Sequence, residues 1–290
     1  MSGAVVLDVV IRMHDPARLD ELSRAVFSAA LQDVPGVRIH VVCQRFSAAG
    51  VAGIREGLAP VMALAPEARL HIHNRTTALP ADARAALLNL GMDAAEGRYL
   101  AFLDYDDLIY PEGWRLLVAE LEATGAAIAF GAVLNTTVSR RGLVPHVTGK
   151  QHVFRGEGLR QLLRSNFCPL HSFLLDRTRL PGSLRFDEDL VALEDYDFLI
   201  RVVSQFPSSF GLKDRPVGEY LLKDDGSNSN PIATAWPSGV DPASAWAAAV
   251  GRVDARKGRL VLGPLVQAQL GVDEPGLTVA RFLERQGVPV

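Results

Sequence analysis

The sequence contains only two cysteines, Cys43 and Cys168, and neither belongs to a C-x-x-C pair. They give no disulfide framework of the kind that small secreted domains use. We therefore expect the reducing environment of the cytoplasm. The apolar stretch that begins at Ala4 is interrupted by Asp8 and Arg12, so we expect no secretory signal peptide.

Long apolar runs and an excess of positive charge are also missing. No run of about 18 or more uncharged apolar residues occurs, so we expect no transmembrane helix. The formal net charge is −3 and there is no dense block of Lys and Arg, so the broad cationic surface that binds nucleic acid is not expected. The hydrophobic content of 48% and the charged content of 22% are instead typical of a globular protein with a substantial core.

Strand-like and helix-like segments alternate over the first hundred residues. The predicted strands are 5–11, 37–43, 70–73 and 99–103, and the helices between them include 19–31 and 81–95. Successive strands end at intervals of about 30 residues, which is the length of a βαβ unit. The first half of the chain therefore predicts a repeated α/β arrangement.

The second half of the chain has a looser pattern. Its predicted elements are helices over 112–124 and 196–203, a short strand over 173–175, strands interrupted at Gly131 over 126–138, and an exposed loop over 140–152. From about Pro231 onward, Pro, Gly, Ser and Ala dominate before two helical stretches. We predict an α/β domain over residues 1–230 and a C-terminal helical extension over residues 231–290.

A buried strand ends in a cluster of acids near the middle of the chain. The apolar run 99–103 is typical of a parallel strand that is covered on both faces, and Asp104, Asp106 and Asp107 follow it. Open α/β sheets bind ligands at the carboxyl ends of their strands. Because carboxylates this close repel one another, we predict a divalent cation, Mg²⁺ or Mn²⁺, with an anionic ligand on it. An Asp-rich turn that precedes the next helix is the structural alternative.

The sequence around these acids resembles the core signature of the family 2 glycosyltransferases, which adopt the GT-A fold. The resemblance covers about residues 5–229 and rests on four motifs in the family's order: His14-Asp15-Pro16; Asn89-x-Gly91 leading to Asp104-x-Asp106-Asp107; Glu194-Asp195-Tyr196-Asp197-Phe198 with Arg201; and Glu219-Tyr220 with Gly226-Ser227-Asn228-Ser229. It implies an α/β GT-A sheet with helices on both faces. It also implies a metal-dependent, inverting transfer of a sugar from a nucleoside-diphosphate-sugar donor to a hydroxyl acceptor.

The resemblance implies roles for individual residues. Asp195 would be the base that takes the proton of the acceptor hydroxyl as the new bond forms, with Glu194 beside it. Asp104 would contact the ribose and Asp106 the metal, although the two acids could share these roles. Further nucleotide-sugar contacts are expected from Arg12, His14, Gln44, Arg84 and Tyr105. The structural alternatives are first-turn acids that complement a helix dipole at Asp195 and an ordinary exposed helix arginine at Arg84.

The chain departs from the family pattern in the pocket for the nucleoside. Many family members end their second strand in paired acids, whereas here Val41-Val42 is followed by Cys43-Gln44-Arg45. The base and the sugar of the donor are therefore left open, with a UDP-sugar as the default. The saccharide or other hydroxyl acceptor is also open, and so is the role of the C-terminal extension in packing, a homodimer contact or approach to a membrane-bound acceptor.

Two other classes of function remain open at this point. One is a metal-dependent phosphohydrolase or nucleotidyltransferase on a similar sheet, which would not need Asp195. The other is a non-catalytic module that binds a nucleotide sugar, for which the altered nucleoside pocket is the reason. A zinc site at His71 and His73, which share one strand face, is not expected because the spacing supplies no third ligand.

Overall fold

The computed structural model describes residues 7–80, 82–141, 144–154, 156–225 and 241–287. In these ranges a single mixed sheet has helices on both faces. The strands are β1 (Leu7–Met13), β2 (Val37–Gln44), β3 (Arg69–Arg75), β4 (Tyr99–Asp104), β5 (Leu108–Ile109), β6 (Ile128–Ser139), β7 (His146–Phe154), β8 (Phe173–Asp176) and β9 (Ser208–Lys223). The helices are α1 (Leu19–Ala30), α2 (Ala48–Leu64), α3 (Arg84–Ala94), α4 (Gly113–Thr124), α5 (Leu159–Arg164), α6 (Glu194–Val203), α7 (Pro242–Lys257), α8 (Pro264–Leu270) and α9 (Val279–Arg285).

The first four strands form the parallel half of the sheet, in the order β3-β2-β1-β4. In the central strand β1, the side chains of Val9, Val10 and Ile11 are fully buried because helices cover both faces. This double burial explains why the strands lack an alternation of polar and apolar residues. The predicted strands and helices of the first hundred residues are confirmed, with small changes at their ends.

The other half of the sheet is built around the long strand β6. The full strand order is β3-β2-β1-β4-β8-β6-β9-β5, with β7 also paired to β6. β8 runs antiparallel to both β4 and β6, and β9 runs parallel to β6 over most of its length. This arrangement brings the end of β9 next to the turn that follows β4, through the pairing of Leu108 with Glu219.

Two predictions for this half were wrong, and one strand was missed. The segment 140–152 was expected to be a loop, but β7 covers most of it and pairs antiparallel with β6. The sequence of β7 does not alternate between polar and apolar residues, because most of its side chains up to Gln151 are exposed. β6 is not interrupted at Gly131, although the register of its pairing with β9 shifts there. A Cβ at this position would overlap the side chain of Val217, so glycine allows the close approach of the two strands. The sixteen-residue strand β9 was not predicted at all.

Two apolar layers lie on opposite faces of the sheet. One face packs against α1, α2 and α4, and the other against α3, α5 and α6. The C-terminal helices belong to this second layer, because Val266 and Phe282 lie in the same buried cluster as Phe198 of α6. Residues 241–287, the part of the C-terminal region that the structure describes, contain three helices, whereas two helical stretches were predicted.

Some expectations fall outside the described residues. The predicted boundary between residues 230 and 231 lies there, as does the Gly226-Ser227-Asn228-Ser229 motif. Among the described helices, none combines the length and the apolar character needed to cross a bilayer.

Gly91 allows α3 to approach β1 closely, and replacing it is expected to destabilise the domain. A Cβ at this position would overlap the methyl groups of Val10, which is fully buried. We expect Gly91→Ala to lower the free energy of unfolding by about 1–3 kcal/mol, the usual cost of overpacking a core. Urea unfolding followed by circular dichroism measures this.

The matched control is Gly53→Ala in α2, where a Cβ has open space. It should raise stability by roughly 0.5–1 kcal/mol, because alanine is the better helix former. Equal effects at the two glycines would contradict the close approach at Gly91.

Candidate active site

The carboxyl ends of β1 and β4 and the first turn of α6 meet at one edge of the sheet, and Arg12 joins them. In the parallel register Arg12 lies opposite Asp104. Its Nε donates to Asp104 Oδ1 at 2.6 Å, and its Nη1 donates to Glu194 Oε1 at 2.7 Å. A single guanidinium therefore connects the strand acids to the acidic motif at residues 194 and 195. The sequence placed all three residues in the site without predicting these contacts.

Asp104 is held in its ionised form. Burial on its own would raise the pKa of this carboxyl, but the adjacent Arg12 outweighs burial and leaves the pKa below its usual value. Arg12 also donates from Nη2 to Asp104 Oδ2 at 3.3 Å. A carboxylate held through both oxygens has a fixed plane, so Asp104 is a well-oriented acceptor for a hydroxyl or a cation.

Asp106 has a different counter-ion, Lys223 at the end of β9. The Lys223 Nζ lies 2.5 Å from Asp106 Oδ2 and 3.2 Å from Glu21 Oε2. Burial and the charge of Asp104 raise the pKa of Asp106, and the ammonium of Lys223 opposes this. The carboxylate that was predicted to bind a metal thus already contacts a positive charge.

Asp107 has a structural role rather than a place in this cluster of contacts. Its Oδ1 accepts a hydrogen bond from the backbone N–H of Leu221 at 2.9 Å, which ties the turn after β4 to β9. Its Oδ2 lies 3.4 Å from Nδ1 of His171, a fully buried residue whose pKa burial lowers to about 4. The turn interpretation of the acidic cluster is therefore correct for Asp107.

Asp195 lies at the start of α6 and is half-buried. Its Oδ1 accepts from the N–H of Tyr196 at 2.7 Å, and its Oδ2 accepts from Asn166 Nδ2 at 3.3 Å. The Asn166 side-chain oxygen accepts from the N–H of Cys168 at 3.0 Å, which leaves the amide NH₂ facing the carboxylate. Burial, and then the negative charge of Glu194, raise the pKa of Asp195 to about 6.

The other residues that were predicted to contact the nucleotide sugar lie on neighbouring elements of the sheet edge. His14 and Tyr105 meet edge to face, with ring centroids 5.4 Å apart, beside the acidic turn. Arg84 forms an ion pair with Asp82 at 2.7 Å, and its charge also acts on Glu194. Gln44 ends β2, which is separated from β4 by β1, so it lies to one side of the acids.

Three residues of the site were not predicted: Lys223, Glu21 and Asn166. Glu21 is only 3% exposed although it lies on a surface helix. Its carboxylate forms ion pairs with Arg140, at 2.5 Å from Nη1 to Oε1, and with Lys223. A lysine three residues after the Glu219-Tyr220 motif was a weak signal for Lys223. The isolated Asn166 gave none, because its partner is 29 residues away in the sequence.

Comparison with known proteins shows which family this chain resembles. Residues 75–178 match the family model described as "Glycosyl transferase family 2". The succinoglycan biosynthesis protein ExoO of Rhizobium meliloti (strain 1021) is 30% identical over 188 residues, which are 62% of this chain and 51% of that protein. The chain thus spans about half the length of this curated relative.

Solved structures share the fold. The crystal structure of S. aureus TarS 1-349 in complex with UDP-GlcNAc has a TM-score of 0.59 and 17% identity, covering 98% of this chain and 92% of that one. The mannosyltransferase PcManGT from Pyrobaculum calidifontis, in complex with GDP-Man and Mn²⁺, has a TM-score of 0.58 and 13% identity, covering 93% of this chain and 68% of that one. At these identities the likeness shows the fold, and it confirms the predicted GT-A arrangement with a helical extension.

Loss of the Arg12 bridge is expected to destabilise the domain strongly. In Arg12→Met, Asp104 and the nearly buried Glu194 lose the cation that they share. Removing one partner of a buried ion pair usually costs about 3–5 kcal/mol. Urea unfolding measures this.

Arg141→Met provides the control, since Arg141 is 82% exposed where it pairs with Asp224. The control should change stability by less than about 1 kcal/mol, because exposed ion pairs contribute little. Equal unfolding midpoints for the two variants would show that the bridge does not stabilise the site.

Proposed function

We propose that the chain acts as a family 2 glycosyltransferase, which transfers a sugar from a nucleoside-diphosphate-sugar donor to a hydroxyl acceptor; the match of residues 75–178 to the family model supports this. The observation that carries the proposal is the Arg12 bridge. It brings Asp104, on the strand end where donors are expected, next to Glu194 and its neighbour Asp195. This proximity supports a site in which Asp104 serves the donor and the half-buried carboxylate of Asp195 serves the acceptor.

We propose Asp195 as the base of an inverting reaction. In such a reaction the acceptor hydroxyl attacks the anomeric carbon from the face opposite the leaving nucleotide, and a carboxylate takes its proton as the bond forms. A base is most effective when its pKa lies near the working pH, and a pKa of about 6 serves this better than the usual value for aspartate. The Asn166 amide holds one carboxylate oxygen and so fixes the direction in which the other can accept a proton.

The donor is proposed to lie along the end of β4. TarS was crystallised with UDP-GlcNAc and PcManGT with GDP-Man, and both have the fold of this chain. We propose that Asp104, oriented by Arg12, accepts a hydroxyl of the ribose. His14, Gln44, Arg84 and Tyr105 are proposed to complete the contacts to the nucleotide sugar, with a UDP-sugar as the first donor to test.

We also propose that Asp106, with Asp104, holds a divalent cation together with the donor. The donor set fits such an ion, because Asp104 and Asp106 supply the carboxylate oxygens that hard divalent cations prefer. The ammonium of Lys223 contacts Asp106 Oδ2 at 2.5 Å and would have to give way to the ion there. Within the described ranges no group of three His, Cys, Asp or Glu side chains converges on a metal position, so phosphate oxygens would complete the shell. When bound, Mn²⁺ or Mg²⁺ would stabilise the negative charge that accumulates on the leaving diphosphate.

A cytoplasmic location is part of the same proposal. Its support is that Cys43 and Cys168 are both buried as free thiols. Burial raises the pKa of the Cys43 thiol to about 11, which keeps it protonated and unreactive.

Replacing the proposed base should abolish transfer while leaving donor binding intact. Asp195→Asn keeps the size of the side chain but removes the proton acceptor. We expect turnover of the donor, measured as release of nucleoside diphosphate, to fall by about 10²–10⁴-fold. Nucleotide affinity measured by calorimetry should remain unchanged.

Asp189→Asn is the control, because Asp189 is 77% exposed and lies just before the same helix. Undiminished turnover in Asp195→Asn would remove Asp195 as the base. It would then favour a phosphohydrolase, which has no need of that residue.

The rate should rise with pH through the pKa of Asp195. The base acts only when ionised, so kcat/KM is expected to increase as pH rises through about 6 and then to level off. Glu194→Gln removes a like charge that raises this pKa, and it should move the rising limb to lower pH. Glu96→Gln, an exposed change, serves as the control. A flat profile between pH 5 and 8, or no shift in Glu194→Gln, would contradict the assignment.

A further inference from the structure

Lys223 is a buried cation at the point where the donor is proposed to bind. It is the last residue of β9, and only 3% of its side chain is exposed. Its Nζ contacts Asp106 Oδ2 at 2.5 Å and Glu21 Oε2 at 3.2 Å. Its backbone is fixed by the pairing of Val138 with Lys223 in the sheet. Any movement of the ammonium must therefore come from rotation of the four-carbon side chain.

The two carboxylates that contact Lys223 depend on it to different degrees. The carboxylate of Glu21 also forms ion pairs with Arg18 at 3.2 Å and with Arg140 at 2.5 Å. It therefore remains paired with two basic side chains when Lys223 leaves. In the part of the chain that the structure describes, Lys223 is the basic group paired with Asp106, whereas Arg12 is paired with Asp104. Asp106 is therefore the carboxylate for which the ammonium and an incoming cation would compete.

We propose that Lys223 is the resident counter-ion of Asp106, that it leaves this carboxylate when the donor arrives with its divalent cation, and that its ammonium then binds the donor diphosphate. The inference rests on the proposed function, because it assumes a donor with a diphosphate. A divalent ion and an ammonium cannot both contact one carboxylate oxygen closely without strong repulsion. The diphosphate brings the negative charge that the displaced ammonium needs. Lysine suits this exchange, since its compact charge sits on a flexible stem with three donors.

The exchange makes metal binding and nucleotide binding depend on each other. Without nucleotide, a metal must displace Lys223 from its 2.5 Å contact with Asp106, and this loss reduces the affinity for the metal. With nucleotide, the ammonium gains the phosphate oxygens as partners. By linkage, each ligand must then strengthen the binding of the other by the same factor.

The test is a titration of the full chain with Mn²⁺, in which electron paramagnetic resonance measures the free ion. Lys223→Met removes the competing ammonium and leaves Asp106 in need of a cation. We expect its affinity for Mn²⁺ in the absence of nucleotide to rise by about tenfold or more, the scale of one charge-assisted contact. At saturating Mn²⁺, its affinity for UDP or GDP should fall by about tenfold for the same reason.

The matched control is Lys213→Met, which makes the same change at an exposed lysine of β9. It should leave both affinities unchanged. Lys223→Gln, which retains a hydrogen-bond donor to Asp106, is used if the methionine variant does not fold, and it should shift both affinities in the same directions. Asp106→Asn should lose Mn²⁺ binding.

Two results would overturn the inference. One is equal nucleotide-free Mn²⁺ affinity in the Lys223 and Lys213 variants. The other is wild-type binding of UDP or GDP that is as tight with a chelator as with Mn²⁺. Failure of the proposed function would look different: no nucleoside diphosphate would bind under any condition, while the nucleotide-free Mn²⁺ titration would still show whether Lys223 competes for Asp106.

Discussion

Buried negative charge at the carboxyl end of β4 is the constraint on which the rest of this site depends. Desolvation favours the neutral forms of Asp104, Asp106 and Asp107, and their charges also repel one another. The fold compensates each acid from a different element. Asp104 receives Arg12 from β1, Asp106 receives Lys223 from β9, and Asp107 receives a backbone N–H from β9. These contacts connect β1 and β9, which lie in different halves of the sheet, to the turn that follows β4.

How much of the fold could be predicted from the sequence depended on where apolar residues lie. The strands that are buried on both faces, such as β1 and β4, are continuous apolar runs, and the helices between them have one apolar side. β7 and the first half of β9 have many exposed side chains, so apolar patterning did not mark them as strands of the sheet. The segment Lys213-Asp214-Arg215-Pro216 of β9 contains three charged residues and a proline, which local patterns assign to a loop. The same segment coincides with the irregularity in the pairing of β9 with β6, which passes from Leu212 to Pro216.

The candidate site shows the same division between local and distant signals. Acids at a strand end are a local pattern, so Asp104 and Asp106 could be named as candidates from the sequence, and Asp195 was named through the family resemblance. Their partners could not, since Lys223 is 117 residues from Asp106 and Asn166 is 29 residues from Asp195. Arg12 was predicted as a nucleotide contact, yet its bridging role came from the register of β1 with β4 and from the position of α6. Counter-ions of buried acids are set by tertiary structure, which a single sequence does not display.

The shared guanidinium of Arg12 also links the two proposed halves of the reaction. Its charge lowers the pKa of Asp104 and opposes the rise in the pKa of Asp195. Glu194 acts in the other direction, because its negative charge raises the pKa of Asp195 while its carboxylate accepts from Arg12. A change of charge beside Asp104, such as a bound diphosphate with its cation, alters how strongly Arg12 is held by each acid. In the proposed reaction, the basicity of Asp195 would therefore be coupled to occupancy of the donor side through the side chain of Arg12.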